Sequence, residues 1–150
     1  MTMLPDRRIT YADFGVYTVP VGQTVRPGMP VKLNATDSNG SESYPNAQEA
    51  VADTDIAIGI ARGEPNGTAY AAGAQFEVVH FWTSVDWVRA GTGTVTRGLR
   101  VVCASDGVIN APANGNGTTA VHSPGVAFNS STVAGTLIAL GIMPSALNKT

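Results

Sequence analysis

Cysteine occurs once in these 150 residues, at Cys103. A single thiol excludes an internal disulfide framework and any zinc site that needs two or more thiolates. Charge is scarce too: Asp, Glu, Lys and Arg make up 13% of the chain, about half of the ~25% of an average soluble domain. Nine basic side chains stand against eleven acidic ones, a net charge of −2, and the arginines fall in singles and pairs, not in a stripe. That disfavours binding to nucleic acid by phosphate neutralisation. No apolar run approaches the ~20 residues of a membrane-spanning helix, and the opening MTMLPDRRITYADF carries charges where a secretion signal has its apolar segment. The expectation is a soluble chain made in the cytoplasm, without a membrane or nucleic-acid partner, that leaves only as part of an assembly.

What the chain does hold is 43% hydrophobic residues, 17 glycines and 9 prolines, with many β-branched side chains and a polar complement of Ser, Thr and Asn. At this length one domain can bury a sizeable core without disulfides. Short strands and tight turns follow. Residues 1–14 show no period and read as an extended N-terminal arm; residues 15–150 read as one β domain. Strands are expected from Gly15 in GVYTVPV, then at 30–35, 56–61, 75–82, 99–104 and 135–143. NAQEAVAD at 46–53 invites a short helix, brief enough to be a 3₁₀ turn or coil. TDSNGSESYPN (36–46) and NAPANGNG (110–117) are surface loops, rich in turn formers and poor in apolar residues. The fold class is all-β, a compact antiparallel barrel or sandwich.

A weak duplication is visible. VRPGMPVKL at 25–33 resembles VTRGLRVVC at 95–103, and IAIGIA at 56–61 is laid over LIALGIM at 137–143, matching Gly28 with Gly98 and Gly59 with Gly141. Two pseudo-repeated β halves would explain the matches; so would the composition of any glycine-rich β protein. Gly59 and Gly141 lie inside apolar runs, where a missing side chain permits a bend or a close approach. A closed or sharply curved sheet is the economical explanation.

No constellation carries catalytic chemistry. Cys103, in LRVVCAS, reads as a buried structural thiol, since a nucleophile needs a nearby base and a lowered pKa. His80 reads as a half-buried side chain with a satisfied partner and His122 as a loop residue. Asp53 with Asp55, or Asp37 with Glu42, invites a metal, but the loop opened by DSNGSE at 37–42 lacks a glycine at its sixth position and the bidentate glutamate at the twelfth of a calcium loop. RAGTGTV at 89–95 continues into a strand instead of opening a helix, so it is no phosphate loop. Neither cofactor nor metal is expected. The Asn-X-Ser/Thr triplets at Asn34, Asn66, Asn116 and Asn129 are composition, given no secretion signal. The most informative stretch is aromatic: Phe76, Val78, His80 and Trp82 alternate with Glu77, Val79 and Phe81, and Val85 and Trp87 follow. Apolar groups on both faces place this strand centrally in a closed barrel or against another subunit. Phe81, Trp82 and Trp87 are the candidates for core or subunit interface.

RPGMPVKL (26–33), DIAIGIARG (55–63), RAGTGTVTRGLRV (89–101) and GTLIALGIM (135–143) together resemble the cadence of the head decoration, or cement, proteins of tailed bacteriophages. The resemblance covers about residues 15–143 and contains no catalytic signature. It implies a non-enzymatic protein on the outer surface of the virion head that clamps adjacent major capsid subunits, usually as a homotrimer. Low charge and many small polar groups suit shape-based contact, and an extended arm can add a strand to a neighbour's edge. Arg7, Arg8, Tyr11 and Phe14 are the candidates for a capsid-binding arm. A glycan-binding or adhesion module, with Trp82 or Trp87 as a stacking platform, is the alternative.

Overall fold

A computed structural model of the chain describes residues 14–34, 44–64, 67–80, 85–112 and 120–147. They form ten strands and, among the described residues, no helix. The first half holds β1 (Phe14–Thr18), β2 (Pro30–Leu33), β3 (Ala47–Glu49), β4 (Gly59–Ala61) and β5 (Gln75–His80). The second holds β6 (Val85–Arg89), β7 (Arg100–Ala104), β8 (Gly107–Asn110), β9 (Val121–Ala127) and β10 (Leu137–Leu147). Each half is one five-stranded antiparallel sheet, ordered β1-β5-β4-β2-β3 in the first and β6-β10-β9-β7-β8 in the second. The order is the same once five is added to each strand number. Parallel bridges, Thr18 to Asn46 and Ala90 to Val108, draw together the edge strands of each sheet and curl it toward a barrel.

The repeat extends to individual hydrogen bonds. Arg26 to Met29 form a turn closed by the Met29 N–H on the Arg26 carbonyl (3.2 Å), and Thr96 to Leu99 form the same turn (3.1 Å). Its third residue is Gly28 in one half (φ 82) and Gly98 in the other (φ 84), a conformation that disfavours any Cβ. The next two bonds match as well: Gly28 N–H to the Ala61 carbonyl answers Gly98 N–H to Ala127, and Ala61 N–H to Met29 answers Ala127 N–H to Leu99. The structural counterpart of Gly59 is thus Gly125, not Gly141: Val31 pairs with Gly59 as Val101 pairs with Gly125. A Cβ on Gly59 would run into the Val79 carbonyl oxygen, and one on Gly125 into that of Gly141. Both glycines are therefore required by a close approach of backbones in tightly coiled sheets. The expected match of 56–61 with 137–143 is corrected on this ground: β4 answers β9, and β10 answers β5.

The cores follow the repeat. Val19, Val25, Val31, Ala47, Ala61, Phe76 and Val78 form the first. Ala90, Val95, Val101, Val108, Ala127, Ile138 and Leu140, their counterparts in the ladder, lie together in the second. Each large aliphatic side chain removed from water in this way contributes about 1.5–3 kcal/mol. Ile60 is the exception. It belongs to the first half but packs into the second core, 1% exposed, and so joins the two barrels.

Other expectations shift at their edges. Ala47–Glu49, inside the segment that invited a helix, is strand β3, held by pairing with Val31, Lys32 and Leu33; a ladder against a neighbour prevails over a local preference too short to nucleate a helix. Phe14, assigned to the arm, opens β1 opposite Val79; residues 1–13 lie outside the described residues. The 56–61 strand is confined to Gly59–Ala61, while the last one runs on to Leu147 across an irregularity between Ile142 and Ser145. His122 stands in β9 instead of a loop.

Candidate interaction surface

The seam between the barrels is built from the turn before β2. There Arg26 grips Glu49 twice, Nε to Oε1 at 2.9 Å and Nη2 to Oε2 at 2.6 Å, while the Arg26 N–H donates to the same Oε1 at 2.8 Å. The hydrogen bond to Glu49 holds the guanidinium pKa above its ordinary value. In the second half Thr96 and Asn110 make the uncharged version: Thr96 N–H to Oδ1 at 2.8 Å and Nδ2 to Thr96 Oγ1 at 3.0 Å. Arg26 has donors left over, and Nη2 also donates across the seam to the Ser105 carbonyl at 2.8 Å. Two backbone bonds cross with it, Arg89 N–H to the Gly28 carbonyl (2.9 Å) and His122 N–H to the Asp53 carbonyl (2.8 Å).

Asp55 anchors the adjoining loop. Its carboxylate accepts from Lys32 Nζ at 2.6 Å and from the N–H groups of Val51 (2.8 Å) and Ala52 (3.1 Å). Burial pushes the carboxyl pKa up, but the Lys32 ammonium and the two N–H donors outweigh it, and the net shift is downward. Asp55 is thus held in a structural ion pair. Asp53, the other carboxylate of the pair that invites a metal, offers its carbonyl to His122, and no group of three or more potential ligands occurs among the described residues. The segment 37–42 lies outside them.

Two clefts open at the seam. One, about 210 Å³, lies between Asp55, Ile56 and Ala57 and the strands carrying His122, Ser123, Pro124, Pro144, Ser145 and Ala146. The other, about 240 Å³, lies between Pro27, Gly28, Ala61, Arg62 and Gly63 on the first barrel and Trp87 and Leu137 on the second. Both are smaller than the ~300–1,000 Å³ of ordinary small-molecule pockets. Large apolar side chains stand in solvent at the cleft rims, Trp87 (59% exposed) and Ile56, and away from the clefts, Leu99, Phe128, Val133 and Met143.

Of the residues singled out from sequence, Trp87 lies on β6 at the rim of the second cleft and outside the core. The Phe14 backbone is placed in β1. Arg7, Arg8, Tyr11, Phe81 and Trp82 lie outside the described residues. Phe76 and Val78 fill the first core, and β5 is central, between β1 and β4. His80 meets the Tyr17 hydroxyl at 2.7 Å through Nε2. Cys103 is buried, and desolvation pushes its thiol pKa up to about 12, the opposite of nucleophile activation. Ile60, Leu99 and Phe128, which the seam and its counterpart on the second barrel bring forward, escaped the sequence reading; the echo of GIA (59–61) in GVA (125–127) was the available signal. No protein-family model and no curated protein sequence matches the chain.

Proposed function

We propose that this chain is a structural virion protein that binds the outer surface of an assembled tailed-phage capsid and clamps adjacent major capsid subunits. It is made in the host cytoplasm and acts as a homo-oligomer, with a trimer favoured. The observation that carries the reading is the placement of large apolar side chains, among them Trp87, Leu99 and Phe128, on outer faces of hydrogen-bonded barrels. Such side chains suit contact with another protein surface. The sequence resemblance points the same way, and the segments that carry it include the Gly28 and Gly98 turns, strands β2 and β4, the start of β7 and the first part of β10. A protein that binds the assembled lattice and not free subunits stabilises that lattice by mass action, and many copies on one shell multiply a modest affinity.

The test uses shells stripped of the protein and refilled, then heated and scored for DNA release. Refilled shells are expected to release at a higher temperature. Equal release temperatures at demonstrated full occupancy would end the clamp reading. Replacing Arg7 and Arg8 together by Ala should lower occupancy in a salt-sensitive way without unfolding the domain.

One observation favours a second reading, in which the protein is a glycan-binding module: the exposed Trp87 beside Arg62 at the rim of the second cleft offers a stacking face. Saturable oligosaccharide binding lost in Trp87→Ala would move the assignment there.

A further inference from the structure

Because the fold is duplicated, one structural position is seen in two environments. The seam is asymmetric. From the first barrel it takes the Gly28 turn, which seats on the outer face of β6 and β10 with Arg89 bonded to Gly28 and Leu137 beside it, and Ile60, which packs with the second core. The second barrel carries its own copy of the turn face, and there the burial is reversed. Met29 is 0% exposed and its counterpart Leu99 is 50% exposed. Pro27 and Gly28 are buried, Arg97 and Gly98 exposed. Ile60 is 1% exposed, whereas Val126 is half-buried; Phe128, 50% exposed, answers Arg62, which is exposed as well. The first barrel keeps its own copy of the receiving face: Val16, Gln75 and Glu77 answer Trp87, Leu137 and Ala139 in register, and both sets are exposed or half-buried.

We propose that a second copy of this chain completes the contact: the Gly98 turn face of one copy seats on the β1–β5 face of the next, as the Gly28 turn face seats on β6 and β10 within the chain. The occupant is argued from continuity with the seam, where the equivalent surfaces already fit one another. The two faces differ, so the contact is head to tail and repeats into a ring or an open chain. This gives the self-association in the proposed function a surface and a polarity. It rests on the duplication alone, and its failure would leave the capsid reading to its own test.

The experiment uses the full chain in sedimentation or light scattering across a concentration series, with the thermal midpoint of each variant as a folding control. Wild type should gain mass with concentration. Leu99→Glu on the turn face and Gln75→Arg on the receiving face, both at exposed sites, should each weaken association at least tenfold. A mixture of the two variants should form a complex of two chains and stop there, because each keeps the one face the other has lost. A wild-type chain that stays monomeric at millimolar concentration would overturn the proposal. So would association unaffected by either variant, or a mixture that fails to pair.

Discussion

Ile60 and Val126 occupy one position of the repeated fold in two environments, so truncating each measures what the seam contributes. Ile60→Ala removes three carbons that are 1% exposed; at about 0.8 kcal/mol per carbon the transfer loss is about 2.4 kcal/mol. A cavity between two barrels that cannot fully collapse adds to that, for about 3–4 kcal/mol in total. Val126→Ala removes two carbons from a half-buried site, which costs about 0.8 kcal/mol. At roughly 2–4 °C per kcal/mol for a chain of this size, the two variants should lose about 10 °C and about 2 °C in thermal midpoint. Both are to be made in the Gln75→Arg background, where the proposed head-to-tail contact cannot cover Val126, and followed by circular dichroism and urea titration. Equal losses, or a loss below about 1 kcal/mol for Ile60→Ala, would refute the reading of Ile60 as the residue that joins the cores.

Gly59→Ala and Gly125→Ala should each cost about 3 kcal/mol or more, since the added methyl meets a carbonyl oxygen of the opposite strand. Gly73→Ala, which meets open space at φ +79, should cost only about 1–2 kcal/mol of left-handed strain; the reverse ranking in denaturant titrations would contradict the packing argument. Asp55 has a folded pKa below its ordinary 3.8, so its contribution is present above that value and is lost as pH falls through the lowered one. Asp55→Asn should therefore be less stable than wild type at pH 7, and the gap should shrink as the pH is lowered past 3.8; a gap unchanged on acidification would refute the ion pair's role. With its pKa raised from 9.0 to about 12, native Cys103 carries about a thousandth of the thiolate of an ordinary thiol, and alkylation at pH 8 should be slower by at least that factor until the protein is unfolded. Rapid labelling of folded protein would show the thiol to be accessible.

The turns were the legible part of this fold. RPGM and TRGL announce themselves because positive φ leaves few residues other than glycine at Gly28 and Gly98, and the strands that follow, PVKL and RVVC, are β-rich enough to read directly. β3 was illegible because Ala47, Gln48 and Glu49 have no strand preference of their own; what holds them is the ladder with β2, which no local pattern encodes. The repeat was visible but mis-registered in its second part. LIALGIM shares apolar letters with IAIGIA, whereas the true counterpart keeps only Gly59, Ala61, Gly125 and Ala127, the positions where backbone approach and core volume leave little choice. Trp87 was legible only as core or interface, and its exposure decides against the core. Leu99 was not legible, since Met29 and Leu99 read alike, and only the placement of the second barrel decides which of them is covered.

Every ladder pairs strands within one half, which bears on how the chain is made. The longest hydrogen-bonded closure in the first half, between β1 and β5, is available once His80 has been synthesised, before any residue of β6 exists. On a ribosome the first barrel can therefore form while the second is still to come, as domains of larger chains do. Ile60 would then face solvent until the second core arrives to cover it. During that interval the nascent chain presents an unused turn face that the second half of another chain, not yet docked on its own first barrel, can occupy, so synthesis at high copy number favours exchange of halves between chains.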